Sequence, residues 1–252
     1  MKVLLRIIKI IIGLAALASV IAFIAERIDE IKYKGAKFFR KPTGIYERFI
    51  KRPLDCFLSC GATIVLSPVL LYLIIAGAIN MKGDPFFTQE RPGRIDPQTG
   101  RERIFRLIKF RSMTNEKDAD GNLLPDEQRL KSYGKRLRAS SLDELPELLN
   151  IIKGDMAVIG PRPLLVQYLE RYNEHQARRH EVRPGLTGYA QSHGRNAMTW
   201  EDKFDYDVEY VDNISFQNDV QILIDTVKTV VKREGISNAD SATMTEFMGS
   251  DT

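Results

Sequence analysis

A long apolar stretch with a proline at its centre limits the fold more than any other feature of the sequence. Residues 54–79 are numerous and apolar enough to cross a bilayer, but Ser67 and Pro68 stand at the middle. Proline removes a backbone hydrogen bond and clashes with the preceding turn, so the helix should bend there. A kinked spanning helix and a re-entrant helix both fit. We favour re-entry because it keeps the basic residues before the stretch and the polar motifs after it on one face.

A second apolar segment lies near the amino terminus. Residues 10–25 carry no charge and could form a short spanning helix, although a signal peptide fits the same pattern. Residues 26–53 then contain nine Lys or Arg against four Asp or Glu. By the preference for basic residues on the inner face, a spanning helix would place its carboxyl end in the cytoplasm.

The remaining composition indicates a folded domain in a reducing compartment. Hydrophobic residues make up 44% of the chain and charged residues 28%, which argues against disorder. Two cysteines, Cys56 and Cys60, are too few for a disulfide framework. The net charge of +4 is small, and we expect no nucleic-acid partner. The interpretation is an α/β (α+β), mainly helical, membrane-associated domain with a small sheet and a re-entrant membrane helix.

Four regions follow from the changes in composition. Residues 1–40 form an apolar anchor and basic linker, 41–80 the re-entrant helix, 81–235 a cytoplasmic catalytic domain and 236–252 a flexible tail. Within the domain, residues 96–100 predict a hairpin tip and residues 103–111 a strand with basic residues on one side. Residues 164–179 and 219–232 have helical spacing.

Two adjacent carboxylates, Asp143 and Glu144, are the first candidates for chemistry. Ser141 with Glu144 matches a capping box ahead of an apolar run, which is an ordinary structural explanation. Pro146 argues against it, because it would then be the fifth helical residue, where its missing N–H matters. If Pro146 is instead the first helical residue, both carboxylates lie in the turn before the helix. Leu145, Leu148, Leu149 and Ile152 would then face the core, and Gly154 would end the helix.

An acidic pair in such a turn suits phosphate chemistry. A carboxylate can act as a nucleophile and pass through an aspartyl phosphate, which divides one difficult transfer into two steps. Mg²⁺ usually takes one or two protein carboxylates and completes its shell with substrate phosphate and water. Asp143 and Glu144 could divide these tasks, or they could simply be a solvated acidic pair.

Several basic residues are candidate phosphate ligands. Arg162 stands between Pro161 and Pro163, whose restricted backbone reduces the entropy lost when a guanidinium holds a diphosphate. The turn at residues 183–188 is either an anion-binding nest of backbone N–H groups or a plain tight turn. Lys109 and Arg111 could contact phosphates or membrane lipid, or they could lie on a solvated strand face.

Together these motifs resemble the bacterial sugar transferase family, the monotopic phosphoglycosyl transferases. The resemblance runs in order from Phe49 to Lys232 through the following sequences: Lys109-Phe110-Arg111-Ser112-Met113, Ser141-Leu142-Asp143-Glu144-Leu145-Pro146, Gly154-Asp155-Met156, Gly160-Pro161-Arg162-Pro163 and Arg183-Pro184-Gly185-Leu186-Thr187-Gly188. It implies transfer of a phospho-sugar from a UDP-sugar to a polyprenol phosphate, with release of UMP, Mg²⁺ as cofactor and a re-entrant helix in the bacterial inner membrane.

The resemblance also implies roles for individual residues. Asp143 looks like the nucleophile and Glu144 like its partner in metal binding or proton handling. The substrate- and phosphate-binding set would be Lys109, Arg111, Arg162, Arg183, Gly185, Thr187 and Arg195. Tyr189 and the pair Ser192-His193 depart from the usual pattern, which leaves the identity of the sugar open. The segment before residue 40 exceeds the minimal family architecture and would be a further anchor or a homodimer contact.

Two other functions fit parts of the sequence. A membrane-tethered protein that binds nucleotide sugars or anionic lipid would keep the basic residues and Arg162 without needing the carboxylates. A phosphohydrolase using the same aspartate would release free sugar phosphate without a lipid acceptor. A UMP-release assay over several UDP-sugars separates these functions.

Overall fold

Three helices precede the globular part of the chain. The computed structural model describes residues 2–38, 40–193, 198–232 and 246–249. Its first elements are α1 (Lys2–Lys32), a π-helical turn (Tyr46–Ile50), α2 (Lys51–Val65) and α3 (Ser67–Met81). By length and composition, Ile8–Lys32 could cross a bilayer, and the bent pair Tyr46–Val65 and Ser67–Met81 passes the same test only when taken together.

Small residues mark the buried face of α1, which packs along α2. Ala15, Ser19 and Ala22 are buried, and their spacing of four and three residues puts them on one helical face. The Ser19 hydroxyl donates to the Ala15 carbonyl at 2.8 Å, so it adds no unpaired polar group. The large apolar side chains on the other faces of α1 are exposed, which suits contact with lipid.

The break between α2 and α3 lies where Ser67 and Pro68 predict it. The two helices bend by 65°. Pro68 lies in the first turn of α3, where an N–H would have no helical partner anyway. The Ser67 hydroxyl donates to the Ile64 carbonyl at 2.7 Å, so one carbonyl at the break is satisfied locally.

Both ends of this bent pair lie against the same globular domain. At the start of α2, Arg52 donates to the Ile151 and Ile152 carbonyls at 2.7 and 2.8 Å. At the middle of α3, Leu73 packs in a core cluster with Phe110 and Leu137. Towards the end of α3, a Cβ at Gly77 would lie 3.4 Å from Tyr133 Oη. The α2–α3 bend therefore projects away from a domain that holds both of its ends.

An antiparallel hairpin opens the globular domain. Strands β1 (Phe86–Ile95) and β2 (Glu102–Phe110) pair from Phe86 opposite Phe110 to Ile95 opposite Glu102, and the turn between them confirms the predicted hairpin tip. The hairpin is followed by α4 (Asp126–Arg129), α5 (Ser132–Ala139), a 3-10 turn (Leu142–Glu144) and α6 (Glu147–Lys153).

A parallel strand pair links the second half of the domain to the first. β3 (Ala157–Ile159) pairs with β4 (Gly185–Thr187). Glycines let the flanking backbones approach, because a Cβ at Gly185 would lie 2.1 Å from Gly160 N. The remaining elements are the 3-10 segments Val166–Arg171 and Arg178–Glu181, with α7 (Glu174–Ala177), α8 (Tyr189–His193), α9 (Trp200–Asp212) and α10 (Phe216–Lys232).

The mainly helical α+β fold class is confirmed, but two local predictions are wrong. Residues 164–179 are not one helix, because Asn173 and Gln176 form a capping box that starts α7 after the preceding 3-10 segment. The flexible tail does not include residue 247, since Phe247 is buried and packs against Tyr168 and Phe204. The rest of the predicted tail, apart from residues 246–249, lies outside the described residues.

Candidate active site

The acidic turn, Leu142–Glu144, lies between α5 and α6. Ser141 before it has a left-handed backbone, φ 54°, and its side chain makes no capping hydrogen bond, so the capping-box interpretation is wrong. Helix α6 begins at Glu147 with Pro146 as its N-cap, one residue later than predicted. Asp143 and Glu144 therefore lie outside the amino end of the helix, as Pro146 indicated, and Gly154 ends it with φ 101°.

The buried face of α6 differs in part from the prediction. Leu148 and Ile151 are in the core, whereas Leu149 is exposed. Asn150 is also buried and joins α6 to β2: its Oδ1 accepts from Ile108 N at 3.1 Å and its Nδ2 donates to Arg106 O at 2.8 Å. This attachment brings β2 alongside the acidic turn.

The acidic turn borders an open cavity of about 690 Å³. Phe87, Leu107, Phe110 and Met113 contribute apolar walls. Six basic residues also line it: Arg91, Lys109, Arg111, Arg129, Arg138 and Arg162. In the described part of the chain, the buried Nε atoms of Arg91 and Arg129 have no hydrogen-bond partner. This excess of positive charge and spare donors favours an anionic ligand.

Glu144 is held by two of these cations. Its Oε1 accepts from Lys109 Nζ at 2.7 Å and from Arg162 Nη2 at 2.6 Å. Burial opposes ionisation, but the Coulombic attraction of Arg162 and Lys109 outweighs it and lowers the pKa of Glu144 to about 2. Glu144 is therefore a fixed, ionised carboxylate at neutral pH.

Asp143 is in a different electrostatic state from its neighbour. Among the described residues, its carboxylate makes no hydrogen bond or ion pair, and it faces the cavity. Burial, followed by the adjacent Glu144 carboxylate, raises the pKa of Asp143 above its usual value. Two neighbouring carboxylates whose pKa values are pushed apart can take different chemical roles.

Glu147 is a third carboxylate at this site that sequence reasoning missed. It is 2% exposed, and its Oε1 lies 3.1 Å from Lys109 Nζ without forming an aligned hydrogen bond. Burial raises the pKa of Glu147 to about 7, with Lys109 opposing the shift. The sequence did contain one indication of its place: Glu147 follows Glu144 by three residues, a spacing that puts two side chains on the same face of a helix.

The predicted phosphate ligands divide into two groups. Lys109, Arg111 and Arg162 line the cavity with the acidic turn. Arg183 does not, because its Nε donates to Gly154 O at 3.0 Å and its guanidinium pairs with Glu26.

Neither Gly185 nor Thr187 lines the cavity, and both have partners inside the domain. Gly185 N donates to Pro161 O at 2.9 Å, and the Thr187 hydroxyl bonds the Thr226 hydroxyl at 2.7 Å. Their placement therefore gives no support to an anion nest there. Arg195 lies outside the described residues.

Arg91, Arg129 and Arg138 are cavity residues that no motif marked. Arg138 lies on α5, and its Nε donates to the Ser112 hydroxyl at 2.8 Å. Lys135 and Arg136 lie beside it on the same helix. The sequence carries equal charges at these positions, so only the packing of α5 selects Arg138 for the cavity.

The acidic turn carries carboxylate oxygens, the ligand type that Mg²⁺ takes from proteins. In the described residues, no group of three or more His, Cys, Asp or Glu side chains could hold a metal ion alone. Mg²⁺ bound to substrate phosphate needs fewer protein ligands, and one or two carboxylates are typical. Within the described parts of the chain, the Asp143 oxygens have no partner, and the two hydrogen bonds to Glu144 use only Oε1.

Comparisons with known proteins give the family. Residues 46–233 match the model of the protein family described as bacterial sugar transferase. The chain is 47% identical over 201 residues to the uncharacterized sugar transferase EpsL of Bacillus subtilis, covering 80% of this chain and 96% of that protein.

Two longer relatives carry names that state a reaction. The undecaprenyl-phosphate galactose phosphotransferase of Salmonella typhimurium is 34% identical over 75% of this chain and 42% of its own length. The UDP-glucose:undecaprenyl-phosphate glucose-1-phosphate transferase of Xanthomonas campestris is 34% identical over 70% of this chain and 38% of its own length. The chain therefore spans less than half of these two relatives. It belongs to the bacterial sugar transferase family and is an enzyme of the transferase class.

Proposed function

We propose that the protein transfers a sugar 1-phosphate from a UDP-sugar to undecaprenyl phosphate and releases UMP. The observation that carries this proposal is the Asp143 carboxylate, which among the described residues has no hydrogen-bond or ion-pair partner and faces a cavity whose described lining includes six basic residues. A diphosphate brings the negative charge that these residues would bind. The names of the Salmonella and Xanthomonas relatives supply the lipid acceptor and, for the latter, the UDP-sugar donor. The reaction would be the first membrane step of a bacterial glycan pathway.

The proposed reaction has two displacements at one phosphorus atom. An Asp143 carboxylate oxygen attacks the β-phosphorus of the UDP-sugar, and the bond from that phosphorus to the oxygen bridging the α-phosphate breaks. UMP leaves with the bonding electron pair, and the sugar phosphate remains on Asp143. An oxygen of undecaprenyl phosphate then attacks the same phosphorus, which restores the carboxylate and forms the lipid diphosphate sugar.

The other residues of the site would position the carboxylates and bind the substrate phosphates. Arg162 and Lys109 fix Glu144 beside Asp143, and Arg162 is 41% exposed, so it can also meet a substrate phosphate. Asp143 and Glu144 would hold Mg²⁺, which when bound neutralises charge on the substrate phosphates. Arg91, Arg129 and Arg138 would bind the remaining phosphate oxygens.

We also propose that α2 and α3 form a re-entrant helix in the bacterial inner membrane, with the domain on the cytoplasmic face. The hydrocarbon core of a bilayer is about 30 Å thick. If α2 and α3 crossed the bilayer, the start of α2 and the domain that follows α3 would lie on opposite sides, about 30 Å apart. Arg52 at the start of α2 nevertheless contacts the α6 carbonyls directly. A re-entrant pair returns to the side on which it began, and it therefore allows this contact.

Cysteine labelling can check this topology. In a background with Cys56 and Cys60 replaced by serine, single cysteines at the exposed positions Lys82 and Lys41 should both react with an impermeant maleimide only in inside-out vesicles. Labelling of the two positions from opposite sides would contradict re-entry. A cysteine at the exposed Glu170 of the domain is the control for the cytoplasmic side.

Release of UMP tests the reaction itself. The purified full chain, given Mg²⁺, undecaprenyl phosphate and each UDP-sugar of a panel, should release UMP with at least one donor and form a lipid diphosphate sugar. Release of free sugar phosphate without lipid would indicate a phosphohydrolase instead. Binding of a UDP-sugar without any UMP would contradict the proposed transfer.

A further inference from the structure

The carboxyl end of α6 is capped by arginines from outside the helix. The last carbonyls of a helix have no partner within it. At this end, Arg52 of α2 donates to the Ile151 and Ile152 carbonyls at 2.7 and 2.8 Å, and Arg183 donates to the Gly154 carbonyl at 3.0 Å. Arg52, at the start of the α2–α3 pair, therefore contacts α6 at the end opposite the acidic turn.

The amino-terminal helix joins this cap through Glu26. Glu26 pairs with the Arg183 guanidinium, and its Oε1 lies 3.6 Å from Arg94 Nη1. Its side chain is 16% exposed, so the pair is largely removed from water. Helix α1 lies outside residues 46–233, the part that matches the family, yet it neutralises an arginine that caps α6.

Helix α6 is short enough to transmit displacement from one end to the other. Its seven residues span about 10 Å, and Leu148, Asn150 and Ile151 are buried along it. Close-packed protein interiors have low compressibility and transmit strain. A shift at the Arg52 and Arg183 cap would thus also displace the acidic turn at the other end of α6.

We propose that Glu26 and Arg52 are positioning residues that connect the membrane helices to the acidic turn through the carboxyl end of α6. Arg52 holds the helix directly, and Glu26 holds Arg183 in place by balancing its charge. Neither residue lines the cavity of Asp143. This role rests on the proposed transfer, because its readout is the rate of UMP release.

Glu26→Gln removes the charge while keeping nearly the same side-chain shape. Loss of one partner from a largely buried ion pair leaves an uncompensated charge, here on Arg183 beside Arg94 and Arg52. We expect kcat for UMP release to fall about tenfold, because small misplacements of reacting groups have effects of that size or larger. The KM for the UDP-sugar should change less than twofold, since the cavity residues are intact.

Glu30→Gln is the matched control on the same helix. Glu30 pairs with Arg27 and with Arg48, which do not cap α6, so its kcat should match wild type. Glu26→Asp keeps the charge and should recover most of the lost kcat. Arg52→Lys, which cannot reproduce the fork to two carbonyls, should lower kcat at least as much as Glu26→Gln.

Three outcomes would overturn the proposal. The first is a Glu26→Gln kcat equal to that of Glu30→Gln, and the second is a rise in KM with kcat unchanged. The third is a loss of kcat that disappears when the rate is divided by the folded fraction from a thermal melt.

If wild type itself releases no UMP, the proposed transfer fails, and amide hydrogen exchange decides the positioning role. Exchange in residues 147–154 should then be faster in Glu26→Gln than in Glu30→Gln, and equal exchange would exclude that role.

Discussion

Replacement of Asp143 by Asn is expected to abolish UMP release, with kcat reduced on the order of 10⁴-fold or more. Asn has almost the same shape and can stay in the acidic turn, but its amide cannot form the acyl phosphate. In the part of the chain that the structure describes, Asp143 forms no ion pair, whereas Glu144 pairs with Lys109 and Arg162. The loss should therefore come from chemistry and leave folding intact.

A single-turnover experiment separates the nucleophile from other roles of Asp143. Without undecaprenyl phosphate, the wild-type protein should release up to one equivalent of UMP and gain the mass of a sugar phosphate on the peptide containing residue 143. Asp143→Asn should show neither event. Asp126→Asn is the matched control, since Asp126 is highly exposed and does not line the cavity. A burst of UMP from Asp143→Asn would remove Asp143 as nucleophile.

Replacement of Lys109 by Met should affect both stability and activity. Lys109 lies 2.7 Å from Glu144 and 3.1 Å from Glu147, and its side chain is 18% exposed. Removing the cation takes away an ion-pair partner of Glu147 and one of the two partners of Glu144, which should reduce the free energy of unfolding by about 2–3 kcal/mol at pH 8. Because Glu144 would keep only Arg162, kcat should also fall by about 100-fold.

The destabilisation should depend on pH in a defined direction. In wild type the pKa of Glu147 is raised from 4.5 to about 7, so the folded state binds more protons than the unfolded state between these values. Glu147 therefore lowers stability as pH rises from 4.5 towards 7. Without Lys109 the pKa of Glu147 should rise further, since its main opposing cation is gone. The penalty of Lys109→Met should thus be smaller at pH 6 than at pH 8.5.

Glu144 contributes with the opposite sign and in a lower pH range. Its pKa is lowered from 4.5 to about 2, so its stabilising effect is present above pH 4.5 and is lost as pH falls towards 2. Part of this effect depends on Lys109, and the variant should be less stable than wild type even at pH 6. Acid below pH 4 should reduce the difference between the two proteins.

Thermal melts of the detergent-solubilised protein at pH 6 and pH 8.5 measure this effect. Lys131→Met is the control, because Lys131 pairs with Glu116 at 2.7 Å on the surface, where ion pairs contribute little. A melting temperature of Lys109→Met equal to that of Lys131→Met at pH 8.5 would contradict the role of Lys109 between the two carboxylates. So would a difference from wild type that is larger at pH 6.

The sequence determined the features that depend on local chemistry. Pro68 fixed the break between α2 and α3, because a proline cannot continue the preceding helix. Pro146 placed Asp143 and Glu144 outside the amino end of α6 for the same reason, and Gly154 ended that helix. The hairpin tip at residues 96–100 and the family motifs were also readable, since each depends on residues adjacent in the chain.

Only the tertiary structure decided which charged groups meet. Asp143 and Glu144 are adjacent in sequence, but of these two carboxylates Lys109 and Arg162 form ion pairs with Glu144, and this separates the two pKa values. Arg183, a phosphate candidate by motif, caps α6 because Glu26 and Gly154 lie beside it. Electrostatic roles follow from distance and burial, which depend on how remote segments pack. For that reason the sequence could name the acidic turn and its chemistry, while the partners of each charge needed the fold.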